Sequence, residues 1–279
     1  MPTRHVVLPL LAAMTLPLMA RDQRDHAPPS TRRVLDRAGA VVVRYLDELP
    51  RLVARESMTQ HVVLPGERTA AGPGRRWVAE LAWVNLPGEA EALGVRDVVE
   101  VDGEAVPGAG TRLMRLLHGP GPGAWAAARA ILDEGARYNL APGSRNLNLP
   151  TVALFFLHPE RRDRFSWKRR GSSRDAVWEV EFRERRRPAV VRGPRGEQVY
   201  SRGRMWIDAS SGVVRRTRMR LALDPVDYTL DTTFDHVPEV QLVLPTRMDE
   251  RYDAPEGVVV STATYDAYRR FQTGARLIR

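Results

Sequence analysis

The chain has 279 residues, 43% of them apolar and 28% charged, a balance that excludes disorder along the whole length and suits one large domain or two small ones. Its formal net charge is +9, but Lys168 is the only lysine, so the other 42 of the 43 basic residues are arginine. That ratio reads first as genome-wide codon bias and only second as attraction to anionic lipid, envelope polyanions or nucleic acid, and the absence of cysteine excludes disulfides, thiolate metal sites, cysteine nucleophiles and a lipid-anchoring cysteine.

In chain order, Arg4 precedes the uncharged apolar run "VVLPLLAAMTLPLMA", residues 6–20, which ends at Ala20 before "RDQRDH". A short positive region, an apolar stretch and a terminal Ala make residues 1–20 an expected signal peptide, and Pro9 and Pro17 argue against a membrane span. Residues 21–30 end in "APPS" and read as a flexible linker. From Ser30 or Thr31 a helix is expected, because Leu35, Ala38, Val42, Tyr45, Leu46 and Leu49 recur at spacings of three and four. Ser30 or Thr31 caps it, and Pro50 ends or kinks it, although Leu52, Val53 and Glu56 extend the pattern.

The first strand is expected over residues 58–64 and a longer one over 75–86. In the second, Trp77, Ala79, Leu81 and Trp83 face one way and Val78, Ala82, Val84 and Leu86 the other, so both faces call for cover. Asp102-Gly103 marks a hairpin turn. Residues 111–117 and 124–140 pattern as helices separated by "PGPG". The dense apolar run at 150–157 fits a buried helix or a buried strand, with Pro150 favouring a helical first turn.

The remainder alternates with period two. Trp178, Val180 and Phe182 oppose Glu179, Glu181 and Arg183, and Met205 and Ile207 oppose Arg204, Trp206 and Asp208. Met219, Leu221 and Leu223 oppose Arg216, Arg218 and Arg220, placing those arginines on the solvent side of a hairpin closed by residues 208–212. Tyr228, Leu230, Thr232, Phe234 and His236 share a face, and strands over 242–252 and 258–271 complete the series. Such alternation means antiparallel strands with one wet face. With helices confined to the N-terminus and one middle block, the expected fold is α+β: a curved antiparallel sheet or unclosed barrel, helices on its concave side, a helical insertion at about 111–159, and a single domain over 31–279.

No catalytic constellation is present. The only lysine cannot serve a phosphate loop, no G-x-S-x-G occurs, and Gly119, Gly121 and Gly123 alternate with prolines that lack N–H donors. No two of the six histidines stand at metal-ligand spacing, so no metal and no cofactor are expected. Glu179 and Glu181 read as a solvated charge ladder, and Asp249 and Glu250 point to opposite faces. The candidate ligand-binding residues are Trp77, Trp83, Trp178, Phe182, Tyr228, Leu230 and Phe234 on the presumed concave side, with His236 at the rim. Either they fill a core or they leave one apolar wall open to a lipid tail.

At "RGRMWIDASSGVVRRTRMRL" and "LVLPTRMDERY" the chain resembles the LolA-like family of periplasmic lipoprotein carriers, in which a strand ending in Trp-Ile-Asp turns through Gly into the next and a Leu-Pro pair, here Leu244-Pro245, enters a later one. It also resembles a group of exported bacterial proteins with no assigned activity, at "VARESMTQ", "VRDVVEVDGEAV", "EGARYNLAPGSRNLNLPTVALFFLHP" and "ATYDAYRRFQ". The LolA-like resemblance implies an unclosed barrel whose concave apolar face, covered by helices, holds acyl chains. The longer first helix and the insertion at 111–159 depart from that family. The resulting expectation is a periplasmic or extracellular monomer that binds or carries a lipid or other acylated ligand without catalysis, together with any envelope protein partner, and that binds no nucleic acid. The alternative is a structural or protein-interaction module with a fully packed core.

Overall fold

The computed structural model describes residues 29–67, 70–89, 91–118, 121–140, 148–193 and 196–271. The expected signal peptide and all of the linker but its last two residues lie outside them. Helix α1 covers Thr31–Glu48, and Ser30 caps it by accepting the Arg33 N–H at 3.3 Å. Pro50 lies in a single 3₁₀ turn, Leu49–Arg51, after which the chain is extended. Leu52, Val53 and Glu56 therefore begin a strand rather than prolong the helix.

The strands are β1 Leu52–Val63, β2 Ala71–Val84, β3 Leu93–Val101, β4 Glu104–Ala105, β5 Phe165–Arg170, β6 Val177–Glu184 and β7 Val191–Arg192. They continue as β8 Gln198–Val199, β9 Ser201–Asp208, β10 Val214–Leu223, β11 Val226–Val237, β12 Leu242–Ala254 and β13 Gly257–Arg270. The middle block holds helices α2 Thr111–His118, α3 Ala124–Ala136 and α4 Pro159–Arg162, and a 3₁₀ helix, Val152–Leu157, realises the helical reading of the apolar run. One antiparallel sheet runs β4-β3-β2-β1-β13-β12-β11-β10-β9-β6-β5, and β7 and β8 form a separate ribbon that the sequence pattern missed. Asp102 and Gly103 close the β3–β4 hairpin at φ 51° and 91°, as their turn chemistry required.

The sheet is rolled, and a short segment shows why. Leu149 fills the space in front of Gly94 in β3, where a Cβ would fall 2.5 Å from its side chain, while Phe156 stacks on Phe165 of β5 at 4.8 Å and meets Phe182 of β6 at 5.4 Å. In a flat sheet of this strand order β3 and β6 would stand about 38 Å apart at ~4.8 Å per strand. The seven-residue step from Leu149 to Phe156 spans at most about 25 Å even fully extended, and less here because it ends in 3₁₀ helix. Both contacts form only if the two ends of the sheet curl towards each other. Inside the curl one core cluster joins α1, the 3₁₀ helix and inward residues from β1 to β13, including Trp83, Phe156, Phe182, Met205, Ile207 and Met248.

The helices do not all lie on the concave side, which corrects that expectation. Leu113, Leu116 and Leu117 of α2, with Ala124, Ala128 and Ile131 of α3, pack on Val53, Ala82, Val84 and Val95, which point to the outer face. The reason is visible in β2, whose two apolar faces each need a cover. The C-terminal end of α3 then passes the β3 edge, with Gly135 against the Arg96 carbonyl, and Tyr138 packs on the inner cluster. The helix ends at Ala136, four residues short of the expected 140.

The β9–β10 turn is docked as well as closed. The Asp208 carboxylate accepts the Ser210 hydroxyl at 2.7 Å and the Ser211 N–H at 2.9 Å, bonds that hold its pKa down to about 2. Arg37 of α1 donates to the Ala209 carbonyl at 2.8 Å, and Gly212, at φ 79°, presses so closely on α1 that a Cβ would lie 2.6 Å from the Ala38 nitrogen. Gly212→Ala is therefore expected to cost about 2 kcal/mol or more, combining a left-handed residue with overpacking. Gly108→Ala, equally left-handed at φ 72° but facing open space, is expected to cost only about 1 kcal/mol. Urea denaturation midpoints check the difference.

Candidate functional site

Where α1 leaves the inner face uncovered, a groove of about 640 Å³ opens between the C-terminal half of α1 and the adjoining ends of β10, β11 and β12. Val41, Val42 and Tyr45 form the helix wall, and Leu154 and Val214 continue it. Phe234, Leu242 and Val243 form the sheet wall. Arg44, Asp47, Glu48, His236, Gln241 and Arg270 ring the mouth. Arg270 is held by Glu48 and by the Val240 carbonyl, and its hydrogen bond lowers the Glu48 pKa; Arg44 is exposed and makes no ion pair among the described residues.

Tyr45 is the chemically distinctive wall residue. It is 8% exposed, its hydroxyl is sealed from solvent with no hydrogen-bond partner among the described residues, and burial pushes its pKa well up. An unsatisfied hydroxyl in an apolar wall costs about 1–3 kcal/mol.

The sequence-predicted residues divide among three places. Phe234 lies in the groove wall and His236 is exposed at its mouth. Trp83, Trp178, Phe182 and Leu230 are instead packed inside the core, between 0% and 4% exposed, and line no groove described here. Trp77 is 2% exposed beside a different depression at the turn end of β2, and half-buried Tyr228 stacks edge-on with Tyr252 at 4.9 Å at the opposite end of β11. As a single ligand-lining set, the seven residues are therefore corrected: a shared face does not bring Tyr228 and Phe234 together, because six residues of strand separate them by about 20 Å. The sequence reading missed Val41, Val42, Tyr45 and Leu154. Val42 and Tyr45 were visible only as members of an apolar helix face.

The reading also missed a buried polar cluster on the same inner face. Arg96 grips Glu56 through two nitrogens, Nη2 to Oε1 at 2.9 Å, and reaches Asn148 Oδ1 at 3.0 Å; Tyr265 donates to Glu56 at 2.8 Å. Glu56 is fully buried. Burial works to lower the Arg96 pKa, and the Glu56 carboxylate outweighs it and raises it instead. Burial, then Glu56, push the Tyr265 phenol far up. Alongside, Gln60 donates to Asn139 at 3.0 Å and accepts the Leu140 N–H at 2.9 Å, while Tyr252 donates to buried Glu250 at 3.1 Å. Glu56, Arg96, Asn148 and Tyr265, far apart in the sequence, thus meet at one point.

Both Glu56 oxygens are occupied by donors, so the pair fixes the β1–β3 edge to the crossing segment rather than presenting a free base. Among the described residues no group of three acidic or histidine side chains is placed to hold a metal. Arg96→Ala is expected to destabilise the protein by about 3–5 kcal/mol by stranding a buried carboxylate, with Glu56→Gln/Arg96→Met recovering most of the loss. Tyr45→Phe, by contrast, is expected to leave the ligand-free protein unchanged or about 1 kcal/mol more stable. Equilibrium denaturation of the purified variants reads both.

No family model matches this chain, and no curated protein matches it. Among solved structures it is similar to the crystal structure of the di-domain ARO/CYC StfQ from the steffimycin biosynthetic pathway, at 12% identity over 84% of this chain and 79% of that chain. The TM-score is 0.16, too low for the likeness to bear on fold or function.

Proposed function

We propose that the protein is an exported, non-catalytic binder of an acylated, single-chain apolar ligand, seated in the groove between α1 and the ends of β10–β12. The observation that carries this reading is the groove itself: about 640 Å³, walled by aliphatic side chains and Phe234, with one buried, unpartnered hydroxyl at Tyr45. That volume and that mixture of apolar walls with a few polar points suit a small-molecule ligand. Each methylene buried contributes about 0.8 kcal/mol, so a tail of ten or so carbons reaches micromolar affinity after ordering costs. Tyr45 adds to the wall, its hydroxyl sealed behind it, and Arg44 and His236 stand where a headgroup emerges. Export rests on the pattern of residues 1–20, and a LolA-like identity for the rolled sheet rests on the Trp206-Ile207-Asp208 hairpin and Leu244-Pro245.

A second reading, a protein-interaction module without a small-molecule ligand, is favoured by the tightly filled remainder of the inner face, where Trp83, Trp178, Phe156 and Phe182 are all at most 1% exposed. Titration with the fluorescent fatty acid cis-parinaric acid separates the two. Saturable micromolar binding is expected, unchanged in Tyr45→Phe because that hydroxyl is sealed from the groove. Val42→Trp, which fills the groove, is expected to lose binding at least tenfold. Absence of saturable binding, or equal binding by Val42→Trp, contradicts the proposal.

A further inference from the structure

The outer face of the C-terminal half of the sheet carries its arginines in rows set by strand register, and one row differs from the others. In two of them acids are interleaved: Arg170 pairs with Glu181, Arg204 with Glu179 at 2.9 Å, and Arg216 and Arg218 both with Asp231 at 2.7 and 2.6 Å. Further along, Arg247 holds Asp249 and Arg251 holds Asp253, each at 2.6 Å. In the remaining row Arg183 stands directly opposite Arg202, and Arg202 directly opposite Arg220. All three are exposed. Among the described residues none makes an ion pair or a side-chain hydrogen bond, although every other arginine of these register rows on β6, β9, β10 and β12 does.

Like charges directly opposite on adjacent strands, about 4.8 Å apart, are destabilising. Codon bias accounts for arginine in place of lysine, but not for three arginines abreast without an acid. Among the described residues none of the three acids nearest in the fold forms an ion pair with the row. Glu184 is buried and accepts the Val190 and Ser201 N–H groups at 2.7 and 3.0 Å, Asp253 is taken by Arg251, and Asp227 stands opposite Ala222, diagonal to Arg220. A depression of about 360 Å³ adjoins the row.

We propose that Arg183, Arg202 and Arg220 form a binding site for a phosphate-class oxyanion, either a soluble phosphate compound or the phosphate of a lipid headgroup. A guanidinium presents a planar fork of donors to such an anion, and one anion between neighbouring forks replaces repulsion with charge-assisted hydrogen bonds. The site lies on the opposite face and at the opposite end of the strands from the acyl groove, so it stands or falls independently of that reading. The row sits at the finish of β10 and the start of β11, the groove at the start of β10 and the finish of β11.

The test is thermal unfolding of the full chain at fixed ionic strength, with and without sodium pyrophosphate. The wild type, Arg202→Gln and Arg129→Gln are compared, the last removing an exposed α3 arginine as a matched change in net charge. Pyrophosphate is expected to raise the wild-type and Arg129→Gln midpoints by several degrees. Arg202→Gln is expected to start higher, relieved of repulsion, and not to respond. Flotation with phosphatidylglycerol–phosphatidylcholine vesicles against phosphatidylcholine alone identifies the source: binding that Arg202→Gln loses assigns a lipid headgroup, and a pyrophosphate response without vesicle binding assigns a soluble phosphate. An equal pyrophosphate shift in all three proteins overturns the proposal, as does the absence of both a shift and vesicle binding.

Discussion

The seat of Phe156 among the rings of β5 and β6 is the contact on which the shape of this protein depends. An eleven-stranded sheet with an apolar inner face is about 48 Å wide, and an 18-residue helix covers about 27 Å. One helix cannot dry that face if it is flat. Anchoring the 3₁₀ helix to β3 through Leu149 and to β5 and β6 through Phe156 draws the ends of the sheet together, and the inner side chains then fill most of the space themselves. What α1 still has to cover is the strip over β10–β13, and its C-terminal half leaves the strip open beside Phe234. The groove is thus a consequence of helix length set against sheet width.

The second cover answers a different need. β2 is apolar on both faces, and the α2–α3 hairpin buries the outer one before its last turn comes round the β3 edge. That crossing is where Glu56, Arg96, Gln60 and the segment carrying Asn139 and Asn148 lock together. A buried ion pair of this kind contributes little net stability over a well-packed apolar pair, yet removing one partner is costly. Its consequence is positional: one arrangement of the crossing segment satisfies all the partners, and alternatives leave a charge without one. The docked β9–β10 turn, pressed on α1 at Gly212, does the same for the helix that walls the groove.

Much of this was legible in the sequence because it is local. Alternation gave β6 and β9 to β13 and the inward direction of Met205, Ile207 and Met219, the Ser30 cap and Pro50 gave the bounds of α1, and the two apolar faces at 75–86 called for two covers. The placement of those covers was not legible. Periodicity gives the face of an element and not its neighbour, so α2 and α3 were assigned to the wrong side, and Tyr228 and Phe234 were grouped although the strand carries them to opposite ends. The buried cluster escaped for a related reason: Glu56, Arg96 and Tyr265 are charged or polar residues scattered over two hundred positions, and composition rules place such residues in solvent. Arg216, Arg218 and Arg220 were read as solvent-facing, but the row that Arg220 forms with Arg183 and Arg202, and its lack of acids, emerges only when the register of β6, β9 and β10 is known.

On the proposed reading the helix-covered sheet keeps a space that an apolar guest fills in the cell, and native mass spectrometry of the protein purified without detergent distinguishes that from an empty groove. The account predicts a mass above that of the polypeptide, lost on organic extraction and yielding an acyl-bearing compound in the extract. A bare polypeptide mass under gentle desolvation, with no acylated compound extracted, would contradict it.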